Sequence, residues 1–145
     1  MPAHIATVIL DDRLLIEDIL VGIEERAERH TTTYWYYRAC RAAVAGAGGH
    51  LSGPFVGLDS SHQRAAIRSL LVLPETIGLP DPRSTVPLMV ELSERHPRLN
   101  LLNLEAAAMG LALNATVLLS VEAGRGVLPT ILDAEGIRWR TIEIG

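Results

Sequence analysis

Short β-branched apolar runs alternate along this chain with longer stretches whose apolar residues recur every three or four positions. Ile5–Leu10 reads I-A-T-V-I-L and halts on Asp11 and Asp12. That pattern predicts a buried parallel strand delivering two carboxylates to the carboxyl edge of a sheet. From Leu14 to Arg29 the apolar positions Leu14, Leu15, Ile19, Leu20 and Ile23 follow helical spacing. Thr31–Thr33 reads as a short second strand. Tyr34–Ala45 reads as a helix ended by Gly46, Gly48 and Gly49, and Leu51–Leu58 as a loop holding Gly53, Pro54 and Gly57. Ser60 or Ser61 then caps a helix through Arg64, Ile67 and Leu71.

Pro74 and Pro80 bracket a short strand, E-T-I-G-L. Ser84 opens another helix, with Pro87 tolerated in its first turn and an end before Pro97. Leu101–Leu113 is helical, starting at Asn100 or Asn103 and stopping at Asn114. Thr116–Ser120 is a strand, Val127–Ala134 a short helix, and Gly136 turns into a last strand, Ile137–Ile144. Strands alternating with helices predict a single α/β domain over residues 1–145. Its expected form is three-layered, with about five short, mainly parallel strands and helices on both faces.

Composition narrows the chemistry. Hydrophobic residues make up 48% of the chain, which favours a sheet covered on both faces. No apolar run reaches the roughly 18–20 residues of a membrane span, and Met1–Leu10 lacks the basic start of a signal peptide. Cys40 is the one cysteine, so an internal disulfide and a multi-cysteine metal site are excluded. A cytoplasmic protein is expected. All 13 Lys-plus-Arg positions are arginine. Without lysine there is no Walker-type phosphate loop and no lysine Schiff base. A net charge of −4 means that nucleic acid would have to find a local arginine patch.

The candidate groups are acids at element ends. Asp11 is a metal ligand or general base, or else a helix N-cap stabilised by the helix dipole. Asp12, pointing elsewhere, is expected to be the solvated member of the pair. Glu105 opens an alanine-rich helix and must face a polar pocket or cap a helix, because an unpaired buried charge is costly. Asn103 lies two residues earlier. Glu122 lies two beyond the strand Thr116–Ser120, at a carboxyl edge or in an exposed loop. Acids converging from separate elements suit a hard divalent cation such as magnesium.

Tyr34, Trp35, Tyr36 and Tyr37 run consecutively into Arg38 and Arg41, and four successive rings cannot all face one core. Such a stripe stacks bases or builds an oligomer interface, the latter slightly favoured. Part of it is expected against another helix or chain, with Arg38 or Arg41 beside the acids. The five histidines lack paired metal-ligand spacing, Gly46–Gly49 lacks dinucleotide-loop spacing, and no nucleophile elbow supports a Ser–His–Asp triad.

The run I-L-D-D-R-L-L resembles the opening strand of PIN domains. N-L-E-A-A-A-M-G-L-A-L-N-A-T-V-L-L-S-V-E resembles their later helix–turn–strand block, and G-I-R-W-R-T-I-E-I their last strand. On that resemblance Asp11 takes the first metal-binding aspartate and Asn103 the helix-opening aspartate, with Glu105 as a longer-reaching substitute. Ser120 and Glu122 take the strand-end hydroxyl and acid. Where the family usually has a glutamate, in the helix after its second strand, this chain has Tyr37 or Arg38.

The resemblance implies a magnesium- or manganese-dependent ribonuclease, or the toxin of a toxin–antitoxin pair. RNA would then be the substrate and an antitoxin-like protein the partner. Asp11, Glu105 and Glu122 would hold metal, with Asn103 as a neutral ligand or water-positioner. The departures support the alternative, a catalytically inactive PIN-fold module that acts as a homodimer or through a protein partner.

Overall fold

The structure is a computed structural model describing residues 5–45 and 60–144. The glycine turn at Gly46–Gly49 and the loop at Leu51–Leu58 lie outside the described residues. Among the described residues five strands form one parallel sheet: β1 (Ala6–Leu10), β2 (Ala27–Thr31), β3 (Ile77–Gly78), β4 (Thr116–Ser120) and β5 (Trp139–Ile142). Their order is β3-β2-β1-β4-β5. The helices are α1 (Asp12–Leu20), α2 (Thr33–Ala45), α3 (Ser60–Leu71), α4 (Pro82–Arg95), α5 (Leu101–Leu113), α6 (Val121–Gly124) and α7 (Leu128–Ala134).

Strand alternation divides the core into two layers. Val8, Leu10 and Leu118 face a cluster with Leu14, Leu15, Ile16, Ala39, Ala42 and Leu70 from α1, α2 and α3. Ile9, Val117 and Leu119 face the opposite cluster, with Leu92, Leu104, Met109, Leu128 and Leu132 from α4, α5 and α7. A strand's period of two sends neighbouring side chains to opposite faces, so Val8–Leu10 of β1 and Val117–Leu119 of β4, buried on both sides, are continuously apolar. The expected three-layer α/β fold is therefore present.

Several boundaries differ from the sequence expectation. The helix expected over Leu14–Arg29 stops at Leu20, because Gly22 adopts φ +96, the left-handed conformation that ends helices at low cost for glycine. The second strand is Ala27–Thr31, earlier than Thr31–Thr33. Arg29 fixes that entry. Its Nε lies 2.8 Å from Asp18 Oδ2, and its two terminal nitrogens donate to the carbonyls of Ile23, Glu25 and Ala27. Helix α4 begins at Pro82 behind an Asp81 cap, which places Pro87 in the helix interior. The single turn α6 was not anticipated.

Helix α5 is buried all round from Leu104 to Gly110, as a run that is apolar and alanine-rich apart from Glu105 favours. Asn114 closes it in the left-handed conformation, φ 50, where the sequence placed its stop. Gly110 is small for a packing reason: a Cβ there would lie 2.8 Å from Ile137 Cγ2. Alanine normally stabilises a helix interior over glycine by about 1 kcal/mol, but overpacking costs about 1–3 kcal/mol. Gly110→Ala is expected to lower stability by about 1 kcal/mol in urea unfolding. A gain in stability would show that this contact is loose.

Candidate functional site

The chain leaves β1 towards β2 and β3 on one side, then returns to lay β4 and β5 on the other. The sheet's connections therefore diverge between the carboxyl ends of β1 and β4, where open α/β sheets form crevices. A cavity of about 260 Å³ opens there. Asp12 from α1, Trp35 and Arg38 from α2, Asn100 and Asn103 at the head of α5, Ser120 at the end of β4, and Glu122 from α6 all line it.

Asp11 lies behind this wall, fully buried. Its Oδ1 accepts the Leu14 N–H at 2.8 Å, the N-cap bond of α1, and its Oδ2 accepts the Ser120 N–H and hydroxyl, each at 2.8 Å. One carboxylate thus joins β1, the start of α1 and the end of β4. Burial, with Asp12 alongside, pushes its carboxyl up from 3.8 to about 6 despite those hydrogen bonds.

Asp12 is the corrected member of the pair. It is buried, not solvated, and it is the aspartate that lines the cavity. The first helical residue points back into the crevice, whereas the N-cap turns inward to reach the helix amides. Arg38 Nε lies 3.2 Å from Asp12 Oδ2, with the arginine half exposed. The arginine expected beside the acids is therefore Arg38.

Glu105 is buried, and its Oε1 accepts the Tyr34 N–H at 3.0 Å. Thr32 Oγ1 accepts the Trp35 N–H at 3.0 Å, so the two side chains together satisfy the first amides of α2. Glu105 does not line the cavity. Asn103 does, from one turn inside the Asn100 cap rather than as the helix opener. Glu122 is exposed on α6 at the cavity's rim. The structure thus brings Asn103 and Glu122 to one crevice, places Asp11 behind it, and gives Glu105 to a helix end. Sequence reasoning missed Asp12 and Asn100. A cavity role for Asp12 was open to it, since the helix start shifts by one residue if Asp11 is the cap.

A magnesium or manganese ion takes several oxygen ligands, with carboxylates supplying the charge. Among the described residues, no three His, Cys, Asp or Glu side chains gather closely enough to hold one. Asp12 has a guanidinium beside it, and Asp11 and Glu105 hold backbone amides. This donor set does not fit the metal that the sequence resemblance implies.

On the aromatic helix, Trp35 is buried in the α5-side core, and the Tyr36 hydroxyl donates to the carbonyls of Leu70 and Leu71 at the end of α3, each at 3.0 Å. Tyr34, Tyr37, Arg41 and Val44 are exposed at a 3-4-3 spacing, one stripe along the helix. No helix among the described residues is long and apolar enough to cross a membrane.

No family model matches this chain, and no curated protein matches it. Among solved structures it is similar to VapBC-1 from nontypeable Haemophilus influenzae. The two are 13% identical, 93% of this chain and 97% of that chain are covered, and the TM-score is 0.54. At that identity the likeness is one of fold, and it extends over nearly the whole chain. The fold is PIN-like, as the opening strand and the helix–turn–strand block led one to expect.

The Asp11 carboxyl has a pH signature. Its folded-state value, about 6, lies above the ordinary 3.8, so its contribution to stability is full below 3.8 and is lost as pH rises through 6. Between pH 7.5 and pH 5 the wild type should gain about 1 kcal/mol relative to Asp11→Asn. Urea unfolding at the two pH values measures this. Parallel profiles would show that Asp11 is not held in that environment.

Proposed function

We propose that this chain is a PIN-fold binding module of toxin–antitoxin type, acting through a protein partner and not as a metal-dependent ribonuclease. The observation that carries this is the use made of its acids. Asp11 and Glu105, two of the three expected ligands, have carboxylate oxygens engaged by backbone amides, and Arg38 stands beside Asp12. A PIN-like fold extending over nearly all of the similar VapBC-1 chain supports the context. An antitoxin-like protein or a second copy of the chain is the partner. The exposed stripe Tyr34, Tyr37, Arg41 and Val44 suits one, because aromatic rings and arginines are enriched at protein interfaces.

The second reading is a magnesium- or manganese-dependent ribonuclease. Asp12, Asn103 and Glu122 favour it, since all three line one crevice. Calorimetric titration of metal-stripped protein with magnesium and with manganese, alongside RNA cleavage assays, separates the two. The binding module predicts no saturable uptake at millimolar metal and no cleavage. Saturable uptake that is lost in Asp12→Ala, with cleavage, would establish the ribonuclease.

The partner face has its own test. If the stripe carries a homodimer, Tyr37→Glu should shift the wild-type dimer to monomer in light scattering after gel filtration, with unchanged circular dichroism. A monomeric wild type leaves a different protein as the partner. A dimer indifferent to Tyr37→Glu would place the interface elsewhere.

A further inference from the structure

We propose that Arg38 is a built-in cation that excludes divalent metal from this crevice, and that an acid at this one position would admit it. The inference rests on the non-metal reading above and assigns its cause to a single side chain. Asp12 is buried, and a buried carboxylate keeps its charge only with a compensating partner close by. Arg38 supplies one at 3.2 Å from an element more than twenty residues further along the chain. Arginine is a permanent cation in proteins, so the chain itself supplies a positive charge at the crevice.

The same crevice holds Glu122 and Asn103, so the oxygen donors that remain would have to coordinate a metal beside a fixed positive charge. Repulsion between like charges strengthens as water is excluded, and Asp12 is the more buried of the two carboxylates there. An ordinary surface ion pair has both members in water and holds little. Here the carboxylate side chain is 7% exposed and the guanidinium 48%, so the arginine serves a charge that the fold has already buried.

The test compares wild type, Arg38→Lys, Arg38→Ala and Arg38→Glu as full chains, titrated with manganese by calorimetry and followed by thermal unfolding. Wild type and Arg38→Lys should take up no manganese. Arg38→Glu should bind it saturably and gain roughly 5 °C or more in Tm at about 10 mM manganese. Arg38→Ala should bind more weakly, and it carries the test alone if Arg38→Glu fails to fold. Folded Arg38→Glu and Arg38→Ala proteins that ignore manganese would overturn the inference while leaving the binding-module reading intact. Wild type that binds manganese would also overturn it, and metal-dependent RNA cleavage by wild type would overturn the binding-module reading as well.

Discussion

The architecture turns on the carboxylate of Asp11. Three donors from two separate parts of the chain meet it: the Leu14 amide at the head of α1, and the Ser120 amide and hydroxyl at the end of β4. β1 and β4 are the central neighbours of the sheet, so this bond set locks the pair at the edge where the crevice opens. Concentrating negative charge in a site without solvent is unfavourable, which is why the carboxyl sits at about 6. The hydrogen bonds offset part of that cost.

The other carboxylates drawn into the structure follow the same logic, each held by a local structural device. Glu105 accepts an α2 amide, where the helix dipole also favours negative charge. Asp12 has Arg38 beside it. Glu135 is held by Nε and Nη2 of Arg95 and by His96, and chiefly the hydrogen bonds from Arg95 lower its carboxyl to about 2, which ties α4 to the end of α7. Acids that could have gathered into a metal centre instead fasten strands and helices together. Glu122, exposed on its single turn, is the acid at the crevice without such a tie among the bonds described.

Much of this was legible in the residues. The β-branched run before Asp11, the run Thr116–Ser120 and the alanine-rich, largely apolar α5 have patterns that local physics reads one way, and their ends fell at or within a residue of where expected. The crevice followed from those strands, because parallel strands present their carboxyl ends together. Gly22 carried a readable stop signal that the apolar spacing around it obscured. Glu105's partner was hidden for a different reason: Tyr34 lies 71 residues away in sequence, and no local pattern encodes which helix end a carboxylate will meet. The Asp11–Asp12 assignment depended on a one-residue question of where α1 begins, and a helix start is the feature that sequence patterns define least well.

The central claim is that the crevice's positive charge belongs to the chain itself. The most direct measurement is a crystal structure of the wild-type protein grown with millimolar manganese, with anomalous scattering recorded for the metal. The account predicts no manganese peak in the crevice and the Arg38 guanidinium beside Asp12. A manganese peak between Asp12 and Glu122, with Arg38 displaced into solvent, would contradict it.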